Sequence, residues 1–416
     1  MEQQNSLLIK NAKQLLTMSG DSPDSLGMIP DGWLYIENGV IAAVGNRDMV
    51  EPVSRHADAV IDATGNTVLP GFVDCHTHVV FGGSRVTEYA VKLADNNPET
   101  LKRLGVKTGI HATVDMTRDL PIEKLAAQTE RRLLGMLAHG TTTMESKSGY
   151  GLTTHSELKM LEINRNLNRK LPIDIVSCFL GAHGWPEDMK KDKYMDILVE
   201  EMIPAVSEQE MAAYCDVWCD DGMYTAAESM RILKAGMDFG MIPRIHTDAY
   251  SYVGGSDLAA DLGMASADHL NYTPNAVYRK LAEAGVVGVV LPVIEFAVAH
   301  PKPVCPRVML DAGMTLAVAT NCCPGCWVES MQIALTYVCR LHAMSPEEAI
   351  RAATFGGAAA LRLDDRGVLA VGKKADVQIW DVETYEDVVY KYGRNHVKIV
   401  IKNGIQVLPV CDKMTT

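Results

Sequence analysis

Short apolar runs that alternate with polar positions and break at turns open the chain: "SLLIKNA", "GWLYIENGVIAAVG" and "AVIDATGNTVLPG". Successive side chains of a strand face opposite ways, so this pattern predicts β-structure. The tail repeats it in "KKADVQIWDV" and "HVKIVIKNGIQVL". Between the two ends the pattern changes to buried strand, loop and helix, repeated. The strand candidates are "GFVDCHTHVVF", "GTTTMES", "DIVSCFLGAH", "CDVWCD", "MIPRIHTDA", "MASADHL", "VVGVVLPV" and "TLAVAT". Stretches with apolar positions at helical spacing separate most of them, such as "PIEKLAAQTERRLLGMLAHG" and "HSELKMLEINRNLNRK".

Alternating strands and helices imply right-handed parallel units. Eight such strands predict an α/β fold, a (β/α)8 TIM barrel with insertions over residues 67–364. The flanking segments, 1–66 and 365–416, are expected to form one small composite β-sandwich domain from both chain ends.

Composition narrows the partners. A formal charge of −13 argues against nucleic acid and anionic membranes, which want a basic surface. No apolar run reaches the length of a membrane span, and the N-terminal stretch lacks the pattern of a signal peptide. Ten cysteines without a signal fit reduced cytoplasmic thiols rather than a disulfide framework.

Barrel enzymes keep their chemistry at the C-terminal ends of the strands. Those ends carry His76 and His78, Glu145 with Lys147, His183, Asp220, His246 with Asp248, His269 and Asn321. A single histidine there is an ordinary hydrogen-bonded residue, whereas several converging on one face need another account. In "DCHTH" the spacing of two sends both imidazoles to one side of a strand, where His76 and His78 can grip one cation. His246 supplies a third nitrogen. A divalent ion there would polarise a carbonyl and acidify water.

The segments "LPGFVDCHTHVVFGGSR", "GTTTMESKSGYGL", "FLGAHGWPE", "IHTDAY…GGSDLAADLGMASADHL" and "ATNCCPG" stand in an order and spacing that resemble the imidazolonepropionase family of the amidohydrolase superfamily. The resemblance implies a metal-bearing (β/α)8 barrel with a composite β-sandwich, and a homodimer. It implies hydrolysis of a five-membered cyclic amide or ureide ring carrying a propionate arm, a small anionic substrate, in histidine degradation. It makes His76, His78 and His246 metal ligands for one divalent ion, zinc first, with iron or manganese as alternatives. It places His269 beside the reacting water, and Arg85, Tyr150 and His183 on the substrate, with the arginine meeting the propionate.

Four departures stand out. The family's strand-8 aspartate, a metal ligand and proton carrier, is Asn321 here, and the glutamate of its "H-x-D-E" motif is Ala249 in "HTDA". Cys322 and Cys323 replace the phenylalanine and asparagine before Pro324, and further back Thr100 stands in place of a pocket tyrosine with "KTGI" in place of the glycine run after it. Asparagine can ligate through its carbonyl oxygen but cannot take a proton at neutral pH. A thiolate is both a nucleophile and a soft ligand. Cys322 and Cys323 are therefore catalytic candidates beside His269 and Asn321, as nucleophiles or as members of a mixed His/Cys site; the plainer reading is small side chains filling a turn. An alternative activity follows, desulfhydration of a 2-thioxo-imidazolidinone propionate with release of sulfide. A catalytically dead, ligand-binding barrel is the non-enzyme alternative.

Overall fold

The N-terminal segments form β1 (Ser6–Leu16), β2 (Met28–Glu37), β3 (Val40–Gly45), β4 (Ala59–Asp62) and β5 (Thr67–Pro70). The middle of the chain supplies β6 (Phe72–Asp74), β7 (Thr141–Lys147), β8 (Asp174–Ala182), β9 (Tyr214–Cys219), β10 (Ile242–Pro243), β11 (Ile245–Thr247), β12 (Ser266–His269), β13 (Val287–Val290) and β14 (Leu316–Val318). The tail adds β15 (Val377–Trp380), β16 (Val397–Lys402) and β17 (Ile405–Leu408). The structure is a computed structural model that describes residues 5–20, 22, 24–47, 57–95 and 97–409. The extremes of the chain-end domain expected from the sequence, 1–4 and 410–416, lie outside the described residues.

One mixed sheet gathers both chain ends in the order β17-β16-β15-β5-β1-β2-β3, with β4 also paired to β1. Strand β5, just past the expected boundary at residue 66, belongs to this sheet through β1 and β15. Its inner face buries Leu7, Ile9, Leu34, Ile36, Val68, Val377 and Ile401 in one apolar cluster. That is the period-two pattern of the sequence put to use.

The second sheet runs β14-β13-β12-β11-β9-β8-β7-β6 with every pairing parallel, the barrel that the alternating pattern predicts. All eight expected barrel strands are present. The fifth is interrupted at Arg244, between β10 and β11. Every residue of β7 is buried, because helices cover its outer face and the interior is packed. The helix Ile122–Ala138 shows the covering pattern, burying Leu125, Thr129, Leu133, Met136 and Leu137 at spacings of three and four. Thr153 starts the next helix, Thr154–Lys170, by accepting the Ser156 amide with its hydroxyl at 3.2 Å. Among the described residues no helix is long and apolar enough to cross a membrane.

First and last barrel strands meet without a ladder of their own. Thr320 donates its amide and hydroxyl to Asp74 at 3.1 and 2.6 Å. Just above, Asn321 N–H donates to His76 O at 3.1 Å, and His78 N–H donates to Cys322 O at 2.9 Å. The sequence run "GFVDCHTHVVF" therefore is not one strand throughout. It leaves the ladder after Asp74, because its next donors and acceptors go to the strand-8 loop and to β7, where Thr77 N–H meets Glu145 Oε2 at 3.1 Å.

Candidate active site

His76, His78 and His246 converge at the barrel mouth, each 3 % exposed or less. Their ligand nitrogens lie within 4.8 Å of one another. His76 and His246 have ring centroids 4.5 Å apart, and the Nε2 atoms of His78 and His246 are 3.4 Å apart. Two nitrogens bound at 2.0–2.1 Å to a tetrahedral ion stand roughly 3.4 Å from each other, so the spacing fits a shared cation.

The tautomers fit as well. His76 Nδ1 is 2.6 Å from Asp268 Oδ2; an ionised carboxylate only accepts, so the proton sits on Nδ1 and the Nε2 lone pair is free. That Nε2 is buried and has no hydrogen-bond partner among the described residues. His246 Nδ1 stands 3.0 Å from Asp216 Oδ2, close but off the direction of a hydrogen bond, and the His246 main-chain N–H donates to Asp216 Oδ1 at 3.1 Å. Carboxylates behind ligating imidazoles fix their orientation. Burial and the charge of Lys147 push His76 well below the usual histidine range. Burial and neighbouring His183 do the same for His78. Both rings are neutral, the form that ligates.

Asn321 follows the last barrel strand beside the main chain of His76. It adopts a left-handed φ of 51°, directs its amide to His76, and leaves its buried Oδ1 without a hydrogen-bond partner among the described residues. An orphaned buried carbonyl oxygen is costly unless something positive meets it. His269, also left-handed at φ 81°, sets its ring 5.7 Å from His76 and 5.5 Å from His246. Its enclosed setting, with His246 beside it, lowers its pKa.

His183 stacks on His78 with 4.9 Å between centroids and 15° between planes, and its other ring neighbours are Tyr150 at 5.2 Å, Trp218 at 5.5 Å and His246 at 5.9 Å. Burial lowers His183 to about 3. Arg85 is already half engaged. Its Nε and Nη2 donate to Glu88 at 2.6 and 2.7 Å, which leaves the Nη1/Nη2 end of the fork toward the strand-8 loop. A Cβ added at Gly325 would lie 3.5 Å from Arg85 Nη1 and 3.9 Å from Cys323 Sγ, so arginine and thiol flank one spot.

The cysteines do not enter the histidine cluster. Among the described residues neither Cys322 nor Cys323 belongs to a group of potential ligands within 4.8 Å, and the group at the barrel mouth contains histidines alone. Cys322 is fully buried in an apolar cluster with Val79, Val80, Phe81 and Met144. Cys323 and Cys326 face each other across a tight turn over Pro324-Gly325, exchanging both main-chain hydrogen bonds at 3.1 Å. Burial pushes all three thiols up, so they stand as neutral thiols rather than thiolates. Every cysteine among the described residues is free.

Asp220 and Asp248, strand-end residues in the sequence, hold loops. Asp220 accepts the Tyr250 amide at 2.9 Å, and Asp248 accepts the Ser256 and Thr273 hydroxyls at 2.6 Å each. Sequence reasoning passed over Asp216, Arg244 and Asp268, which lie beneath the histidines. The available sign was a charged residue between apolar neighbours inside a strand run, as in "IPRI" and "YCDVWC".

Comparison with known proteins agrees with this geometry. Descriptions of the Amidohydrolase family match residues 59–218 and 244–407. The imidazolonepropionase of Alkaliphilus metalliredigens is 42% identical over 410 residues, covering 96% of this chain and 97% of its own. That of Geobacillus kaustophilus is 41% identical over 415 residues, with the same coverage. Among solved structures, a zinc-bound adenosine deaminase from Xanthomonas campestris superposes with a TM-score of 0.72 at 19% identity, covering 96% of this chain and 92% of its own. Ochratoxinase from A. niger gives 0.70 at 19% identity, covering 97% and 95%. These two share the fold. The histidine cluster at the mouth of a parallel barrel and the full-length identity above 40% lead to one conclusion: the chain belongs to the imidazolonepropionase family of amidohydrolases.

Proposed function

We propose that this chain hydrolyses the C–N bond of a five-membered cyclic amide ring with a propionate arm, 4-imidazolone-5-propionate being the first substrate to try. The observation that carries this is the pair of Nε2 atoms 3.4 Å apart in His78 and His246, with the free Nε2 of His76 beside them. These three nitrogens, with Asn321 Oδ1 as the neutral fourth donor, would hold one divalent ion, zinc before iron or manganese. Such an ion, when bound, polarises the ring carbonyl and lowers the pKa of water.

The chain's own groups do the rest. The free end of the Arg85 fork takes the propionate, and Glu88 fixes the fork's direction. Tyr150 and His183 wall the ring in, since His183 is held parallel to His78. Water adds to the ring carbonyl carbon, and neutral His269 receives its proton and returns it to the departing ring nitrogen as the C–N bond breaks. No carboxylate stands at positions 249 or 321, so His269 is left as the proton carrier. Free cysteines throughout the described residues support a reducing, cytoplasmic setting.

A second reading keeps the pocket and changes the ring, to a 2-thioxo-imidazolidinone propionate that loses sulfide. The observation on its side is Cys323 beside Arg85, on the wall of a site lacking both family carboxylates. Side-by-side turnover of the two rings, following ring absorbance and released sulfide, decides between them. Absorbance change with the imidazolone supports the first reading. Sulfide alone supports the second, and binding of both rings without turnover overturns both.

A further inference from the structure

Below the histidines, the barrel interior holds a second set of donors. Glu145, Cys178 and Asp216 bring ligand atoms within 4.8 Å of one another, and Asp216, His246 and Asp268 do the same. All five side chains are buried. Carboxylates this close in a dry interior repel strongly unless a cation sits among them. One does. Lys147 Nζ lies 2.6 Å from Glu145 Oε1, 2.7 Å from Asp216 Oδ2 and 3.9 Å from Asp268 Oδ2, with no exposure to solvent. Arg244, equally buried, keeps Nη1 3.6 Å from the same Glu145 oxygen, beyond hydrogen-bond reach, and gives Nη2 to Cys75 O at 2.8 Å. Lys147 is thus the direct partner of both Glu145 and Asp216.

We propose that the Lys147 ammonium occupies the seat of a second divalent cation, and that it positions His246 and His76 through Asp216 and Asp268. Each carboxylate is shared between an imidazole above and a fixed cation below: Asp216 between His246 and Lys147, Asp268 between His76 and the Arg244–Lys147 pair. A mobile metal in that seat would compete for the carboxylates that orient the imidazoles. A tethered ammonium supplies the charge without leaving. The inference rests on the histidine site holding one ion, and the test separates the two.

The full-length chain, its Lys147→Ala variant and its Lys147→Met variant are loaded with excess zinc, desalted and measured for zinc per chain, alongside melting with and without zinc. Expected are one zinc in the wild-type chain and two in Lys147→Ala. Zinc should also raise the melting temperature of Lys147→Ala by more than it raises that of the wild type or of Lys147→Met, whose side chain fills the seat without a charge. Wild type without zinc overturns the histidine site. One zinc in both wild type and Lys147→Ala overturns the lysine seat. If Lys147→Ala is insoluble even when refolded with zinc, the seat is overturned too, because a cation that fits it would restore the charge.

Discussion

Thr320 grips Asp74 with both its amide and its hydroxyl, at 3.1 and 2.6 Å, and so ties the last barrel strand to the first directly under the metal-binding face. The same hydroxyl accepts the Cys322 amide at 3.1 Å. Replacing Thr320 by Val leaves a buried carboxylate short of a donor and an amide short of an acceptor. That costs about 1–3 kcal/mol per orphaned group. Urea unfolding should show a lower midpoint for Thr320→Val, while Thr320→Ser recovers most of it. Equal midpoints for all three chains would refute the role given to this seam.

Metal removal should loosen the same region. A ligand held at 100 times its Kd stabilises by about 2.7 kcal/mol. Chelation is expected to lower the melting temperature of the wild-type chain. His246→Ala should melt at one temperature with or without chelator and carry no ion. An unchanged wild-type melt after complete chelation contradicts the site.

Asn321→Asp and Ala249→Glu together restore two carboxylates at positions now lacking them. A positioned general base is worth about 10²–10⁴-fold. If the native site is tuned to another ring, the double variant gains at least tenfold in kcat/KM on 4-imidazolone-5-propionate and loses on its thioxo counterpart. A loss on both rings would mean the asparagine and alanine are fitted to the ordinary reaction.

Thiol chemistry should follow exposure. Cys305 is exposed, whereas Cys322, Cys323 and Cys326 are buried. Iodoacetamide on the native chain, read by peptide mass spectrometry, is expected to label Cys305 first and to spare residues 322–326 until denaturant is added. Rapid labelling of Cys323 would reveal a thiolate and revive it as a nucleophile.

Glu295 predicts a pH effect away from the site. Burial raises its carboxyl to about 7, partly offset by the Asn271 amide at 2.6 Å. The folded chain then holds a proton that the unfolded chain releases near pH 4.5. Stability from this group is fully present below that value and falls as pH rises through 7, by up to about 3 kcal/mol. Glu295→Gln removes the titration, so its melting temperature should exceed the wild type's at pH 8 and approach it at pH 4.5. A constant difference across that range rejects the assignment.

The barrel was legible because eight apolar runs and the helices between them carry two distinct periods, and the histidines were legible because they end those runs. The supporting charges were harder to read. Asp216 and Asp268 sit inside the buried strands β9 and β12, and nothing local says whether such a side chain points into the barrel or out to a helix. Only the pairing of β9, β11 and β12 brings Asp216 to His246, and Asp268 lines up across β11 in the same way. The state of the thiols was illegible for a similar reason, since it depends on burial from Val79, Phe81 and Met144, far away in sequence.

The seam between Asp74 and Thr320 joins residues 246 positions apart. In the proposed donor set, half arrives with His76 and His78, and the oxygen of Asn321 would join only when the eighth strand docks. During synthesis at about 5–20 residues per second, a chain of this kind waits many seconds with its first two imidazoles made and their partners unbuilt. Ion capture therefore comes last, after the longest loop has closed. Loading is in effect a receipt for completed folding, issued by the same residues that later do the chemistry.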